Sequence, residues 1–408
     1  MTIDLIDLRE SNEFLNILFE KIPSLVLLAD SEMRVQEIND TYQALFGKSR
    51  EEALGQRCGN ALGCAFAVAE RKLCGETSHC EVCVIRQTAL KTLSENKSAD
   101  RIKLAHSFVI DDVTFERHFE FSTRHILFQG QQMVLIILYD VTDLENQQAE
   151  LRRKQQRIEQ DLQAAGTIQQ CLLPTQLAAS ERVAFAWKFL PCDAVGGDIL
   201  NVSLLDADHF GMYMLDVAGH GPPSAMISVL VYQLMNPHTG ILLDTTVTPP
   251  RIREPKAVLD ILEREFPLHR FGRHFTIIYM VLDLTTGRLD YSNAAQCPPL
   301  VLRQDGAIER LDPTGTIIGI DAFPLEQGSV RLNPGDKVVL YSDGLIEMSN
   351  ARDEFFGEER LEDLLRAKRD AAPEALAQEL FDAALRFGEG QSPADDLSIL
   401  AFEYKGEA

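Results

Sequence analysis

The chain is poor in positive charge. Its 408 residues carry 39 Lys and Arg against 62 Asp and Glu, a formal net charge of −23 at pH 7. Such a surface repels nucleic-acid phosphates and anionic lipid headgroups, so no nucleic acid and no membrane is an expected partner. Long apolar runs are also missing. The longest, "MVLIILY" at 133–139, is far too short to cross a bilayer. The amino terminus, "MTIDLIDLRESNEF", has no basic segment followed by an apolar core, so no signal peptide is expected. Eight cysteines fall well short of a disulfide scaffold and suit a reducing compartment. The expectation is a soluble, cytoplasmic protein. Its 45% apolar and 25% charged residues are ordinary for a globular chain, and its length allows two or three domains.

The pattern along the chain is α+β. Residues 1–12 are read as an N-terminal helix and residues 13–142 as a first unit. In that unit "SLVLLAD" and "RVQEIN" read as strands, small helices follow, and "FERHFEFSTRHILF" and "QQMVLIILYDVTD" close it as long strands. The order of strand, strand, small helices and three strands resembles a PAS sensor domain, an α/β module. "NDTYQALFG" after the second strand and the exit "ILYDVTDLE" carry that resemblance. The alternative is a generic α+β domain.

Residues 143–175 differ. There is no Pro or Gly before Gly166, and Glu, Gln, Arg and Ala favour helix. Leu144, Leu151, Ile158, Ala165 and Leu172 recur every seven residues, as the a positions of a coiled coil do. The d positions are mostly Gln (Gln148, Gln155, Gln169), which makes a weak seam. A helical linker joining two copies into a homodimer is the expectation, and a solvated connecting helix is the alternative.

From 176 to 408, apolar strands such as "FGMYMLDVA", "FTIIYMVLDL", "DKVVLYSDG" and "DLSILAFEY" alternate with helices such as "PPSAMISVLVYQLM" and "PEALAQELFDAALRF". Many strands with few intervening helices predict a sheet-on-sheet core with helices outside. "NPHTGILLDTTVTPPRIREP" (236–255) reads as a surface insertion or flap.

Four aspartates share one context, an apolar strand beside Asp with Gly or a second acid close by. They are Asp198 in "AVGGDIL", Asp216 in "MLDVAGHG", Asp343 in "VLYSDGLIE" and Asp395 in "SPADDLSIL". One such Asp is ordinarily a turn residue or a helix cap. Four in one domain suggest a shared site. Carboxylates about 4 Å apart repel by roughly 4 kcal/mol per pair at an effective dielectric near 20. Such a cluster persists only beside cations. Oxygen ligands select Mg²⁺ or Mn²⁺, and two such ions suit phosphomonoester hydrolysis by an activated water.

"VGGDIL", "LDVAGHGPPSAM", "LYSDGLIE" and "ADDLSIL", in this order, resemble the motifs of the metal-dependent PPM (type two C) protein phosphatases, and more closely their SpoIIE-like branch. "GTIQQCLLP", just ahead of the domain, is similar to the leading helix of that branch. The resemblance covers nearly all of 165–403. It implies a β-sandwich flanked by helices (αββα) that acts as a protein serine/threonine phosphatase with two Mn²⁺ or Mg²⁺ ions. By the same resemblance Asp216 bridges both metals and the Val217 carbonyl binds one. Asp198, Asp343 and Asp395 complete the shells, and Asp396 is a further candidate ligand. The implied substrate is a phosphorylated STAS-type anti-anti-sigma protein, in partner-switching control of transcription. Two departures stand out. Asn201 occupies a position often held by Asp, and "NAAQCPP" (293–299) replaces "NAGHPPP". No Arg is evident near Asp198, and Lys188 is the nearest basic residue before it. The rival readings are an inactive phosphatase-like docking module and a hydrolase of small phosphate esters.

The stretch "SHCEVCVIRQ" (78–87) has the H-C-x5-R outline of a thiol phosphatase. It lacks the glycines that would let backbone N–H groups converge on phosphate, and Val82, Ile85 and Ala89 suggest a helix face instead. Cys64, Cys74, Cys80 and Cys83 form a better group for Zn²⁺, an iron–sulfur cluster or a redox thiol pair. Buried, unligated cysteines are the alternative.

Overall fold

The computed structural model describes residues 12–128, 130–174, 180–312 and 315–406. The helix expected over 1–12 lies, except for its last residue, outside them. A helix does run from Asn12 to Lys21. The chain divides into two compact units, residues 1–155 and 156–408.

The first unit is built on one antiparallel sheet. Its strands are β1 (Leu25–Ala29), β2 (Val35–Ile38), β3 (Ala99–Ile110), β4 (Val113–Phe128) and β5 (Gln131–Asp140), in the order β2-β1-β5-β4-β3. Five helices lie between β2 and β3 and cover one face. Phe119 and Phe121 enter the core with Tyr42, Phe46 and Phe108, whereas Phe115 at the far end of β4 is exposed. The partly regular alternation of β4 in the sequence therefore reflects a strand whose first third lies outside the core.

A 29-residue helix, Thr142–Gln170, covers most of the 143–175 stretch expected to be helical; residues 171–174 leave the helix in a turn, and 175 lies outside the described residues. Leu144, Leu151 and Ile158 are 52%, 66% and 61% exposed, so the apolar seven-residue spine faces solvent in the single chain. Gln169 departs from the expected seam: it is 7% exposed and belongs to the second unit's interior.

The second unit is a sandwich of two five-stranded antiparallel sheets. The strands are β6 (Val183–Leu190), β7 (Ile199–Leu204), β8 (His209–Val217), β9 (Leu243–Asp244), β10 (Arg251–Ile252), β11 (Phe275–Asp283), β12 (Arg288–Ala294), β13 (Leu300–Leu302), β14 (Ile308–Arg310), β15 (Gly328–Arg331), β16 (Lys337–Tyr341) and β17 (Leu397–Tyr404). One sheet runs β15-β12-β11-β8-β7 and the other β14-β13-β16-β17-β6. Met212, Met214 and Ile278 from the first meet Leu340, Leu400 and Phe402 from the second in a shared core. Helices Pro222–Leu234 and Pro255–Glu265 cover the outer face of the first sheet, and Gly357–Ala367 and Pro373–Phe387 that of the second. Strands packed on both faces must be apolar on both, which is why β8, β16 and β17 read as continuous runs. The insertion at 236–255 forms a small hairpin, β9 with β10, anchored by buried Leu242. Among the described residues, no helix is long and apolar enough to cross a membrane.

Candidate metal centre

Strand polarity alone gathers the four aspartates. β7 and β8 are antiparallel with Ile199 opposite Leu215, and Asp198 immediately precedes β7 while Asp216 closes β8. The same register extended by one residue sets Asp198 across from Asp216. In the other sheet β16 and β17 are antiparallel, with Asp343 two residues after β16 and Asp395 two residues before β17. All four thus lie at one end of the sandwich. The Ser398 hydroxyl on β17 donates to Asp198 Oδ2 at 2.5 Å and links the two sheets there.

The electrostatics report the convergence. Burial raises the Asp198 carboxyl well above its usual range, and the nearby Asp216 and Asp396 add to the effect. Asp216 is pushed up to about 7 by burial and then by Asp343, Asp395, Asp396 and Glu347. Asp343 rises to about 6 through burial and the repulsion of Asp395 and Glu347. Burial also raises Asp395, although the N–H of Asp396 and nearby His220 oppose it. Carboxylates that repel one another in a buried place call for a cation. Asp343 Oδ1 is buried and without a hydrogen-bond partner, which again suits a metal ligand. The donor set fits Mg²⁺ or Mn²⁺: aspartate oxygens together with a backbone carbonyl.

Asp396 does something different. Its Oδ1 accepts the N–H of Cys192 at 2.8 Å and its Oδ2 that of Asp198 at 3.0 Å, so both oxygens hold the backbone of the 191–198 loop. Among the described residues, Cys192, Asp395 and Asp396 are the one group of three whose ligand atoms all lie within 4.8 Å of each other. Glycine is required around this carboxylate. A Cβ at Gly196 would come within 2.3 Å of Asp396 Oδ2, and one at Gly344 within 2.2 Å of the Asp396 carbonyl.

The sequence reading missed several neighbours. Arg273 donates to the Ala218 carbonyl at 2.5 Å, beside the Val217 carbonyl expected to bind metal. Its 55-residue separation from Ala218 along the chain hides this contact from the sequence. Lys188, by contrast, lies in mid-strand on β6, opposite Ile399. In "NAAQCPP", Ala295 adopts a left-handed φ of 57° and Gln296 donates its N–H to Asn293 Oδ1 at 2.8 Å. This turn brings Cys297 to the cluster; burial and the Asp343, Asp198 and Asp216 charges push its thiol up to about 12.

Residues 206–405 match the family described as stage II sporulation protein E (SpoIIE). The chain is 26% identical over 268 residues to protein IcfG of Synechocystis sp., covering 59% of this chain and 41% of that protein. It is 24% identical over 260 residues to the phosphoserine phosphatase RsbU of Bacillus subtilis, covering 62% of this chain and 73% of that one. The chain therefore spans less than half of the cyanobacterial relative. Among solved structures, the SiaA-PP2C domain of Pseudomonas aeruginosa superimposes with a TM-score of 0.53 at 23% identity, over 62% of this chain and 98% of that one, which shows a shared fold. Residues 206–405 thus match the SpoIIE family, on a fold shared with a PP2C domain.

Proposed function

We propose that this SpoIIE-family chain is a sensor-regulated protein serine/threonine phosphatase. The observation that carries the reading is the meeting of Asp198, Asp216, Asp343 and Asp395 at one end of the sandwich, with Asp343 Oδ1 buried and unpartnered. Asp216 and the Val217 carbonyl, with Asp198, Asp343 and Asp395, would hold two Mn²⁺ or Mg²⁺ ions. When bound, such a pair supplies a strongly polarised water and counter-charge for the phosphoryl oxygens. The chain's own residues fix the geometry: Ser398 orients Asp198, Asp396 ties down the loop before it, and Arg273 holds the carbonyl next to Val217.

The substrate we infer is a phosphorylated STAS-type anti-anti-sigma protein, as the resemblance to the SpoIIE-like branch implies. The first unit, with its β2-β1-β5-β4-β3 sheet, is read as a PAS-type sensor. Exposed Leu144, Leu151 and Ile158 on the connecting helix support a homodimer through a coiled coil.

The deciding experiment is Mn²⁺-dependent hydrolysis of an aryl phosphate and of a phosphoserine STAS protein, wild type beside Asp216→Asn. Metal-dependent turnover of both substrates, lost in the variant, supports the reading. Turnover of the small ester alone would point to a small-molecule hydrolase. Inactivity of the full chain and of residues 156–408 alike would point to a docking module.

A further inference from the structure

The first unit contains a partly open cavity of about 40 Å³, and its walls carry an unusual set of side chains. Cys58, Cys64, Cys74, Cys80 and Cys83 all line it, and none is in a disulfide. The local fold sends them there from separate elements. Cys64 bridges to Phe108 on β3, Cys83 precedes helix Val84–Glu95, and Cys74 is fixed by its N–H donating to Asn60 Oδ1 at 2.7 Å. Glycine makes the approach possible: a Cβ at Gly59 would come within 2.8 Å of Cys74 Sγ. Cys58 is one of the buried residues of the hydrophobic core, and Cys83 packs against that core from the cavity wall.

Two further features address sulfur and charge. Cys80 Sγ accepts the N–H of Gly75 at 2.9 Å and lies 2.9 Å from the Thr77 hydroxyl, the kind of hydrogen bonding that stabilises thiolate and cluster sulfur. Arg86 reaches the cavity wall with its Nη1 buried and unpartnered. An arginine with an unused donor there awaits a negatively charged occupant.

The spacing of the ligand atoms decides between occupants. A single tetrahedral zinc with Zn–S bonds near 2.3 Å would draw its sulfurs to about 3.8 Å from one another. Among the described residues, no three Cys, His, Asp or Glu ligand atoms around this cavity lie within 4.8 Å of each other. The thiols surround a space instead of closing on a point. We propose that Cys64, Cys74, Cys80 and Cys83 ligate a [4Fe–4S] cluster in this cavity. Arg86 supplies the counter-charge, and Met33, Leu62 and Phe108 keep water from it.

The test uses the full chain, purified without oxygen and reconstituted with ferrous iron and sulfide. The expected result is about four iron and four acid-labile sulfide per chain, with a broad visible absorption bleached by dithionite. Cys74→Ser and Cys83→Ser, shown to be folded by circular dichroism, should each retain less than about a tenth of the iron, while Cys171→Ser on the exposed end of the connecting helix retains all of it. The wild-type stoichiometry stands even where a variant fails to fold. Uptake of one zinc without sulfide would overturn the proposal, as would a chain that binds no metal while its thiols remain titratable.

Discussion

Gln169 and Gly196 exchange two hydrogen bonds. The Gln169 amide donates to the Gly196 carbonyl at 2.8 Å, and the Gly196 N–H donates to Gln169 Oε1 at 3.0 Å. Gly166, one turn earlier, lets the helix lie against the same loop, since a Cβ there would come within 1.9 Å of the Ala194 carbonyl. The end of the long helix is thus fastened to the loop that delivers Asp198. Whatever rotates or frays that helix acts on a candidate metal ligand through two residues.

Gln169→Ala leaves the buried N–H and carbonyl of Gly196 unpaired, at a cost of about 1–3 kcal/mol for each unsatisfied group. A lowered Tm is expected, together with a higher Mn²⁺ concentration for half-maximal activity. A metal titration identical to wild type would show that the helix end does not act on the site.

Removal of one charged ligand should cost more than disturbing a residue behind it. Asp216→Asn and Asp343→Asn should each lower activity more than about 100-fold, whereas Ser398→Ala, which only orients Asp198, should cost about 10–100-fold. Metal affinity by calorimetry checks the ranking. Equal losses in all three would contradict the assigned roles.

The raised carboxyls give the metal-free protein a pH dependence of definite sign. An Asp at 3.8 when unfolded and about 7 when folded binds more protons in the folded state between those values. Stability without metal therefore falls as pH rises from about 4 to about 7. Metal binding needs the ionised form, so its stabilising effect grows over the same interval. Thermal melts at pH 5 and 7.5, with chelator and with Mn²⁺, should show the two trends diverging. A chelated protein that gains stability toward pH 7.5 would contradict this.

Arg273→Ala should loosen the Ala218 carbonyl and, with it, Val217. About tenfold weaker metal binding is expected, with partial rescue by Arg273→Lys. A change in KM alone, at unaltered metal affinity, would assign Arg273 to substrate contact instead.

Leu151→Glu with Ile158→Glu tests the exposed spine of the connecting helix. A dimer by light scattering should become a monomer, because charge in the seam opposes pairing. A wild-type monomer would refute the coiled-coil reading.

The core of the sandwich was legible because its strands bury both faces, so "FGMYMLDVA" and "DLSILAFEY" announce themselves without help from neighbours. β14 and β15, three and four residues long with exposed polar positions, carry no such signal and exist through pairing at the sheet edges. The four aspartates stand out in the sequence because each sits at a strand end with glycine or another acid within three residues. Gln169 could not. Its heptad spacing matched a seam position, and only the packing against Gly196 shows what it holds.

Sequence by itself determined which side chains can bind a metal and which strands must be buried, since residue chemistry and apolar runs are local properties. Tertiary structure decided which of those groups meet. Antiparallel pairing brings residues 198 and 216 to one end with 343 and 395, and brings Arg273 to Ala218. It also turned Asp396 inward onto backbone N–H groups and set five cysteines around one cavity. Spacing along a chain says nothing about such meetings, because they are fixed by sheet register and by loops closing across up to two hundred residues.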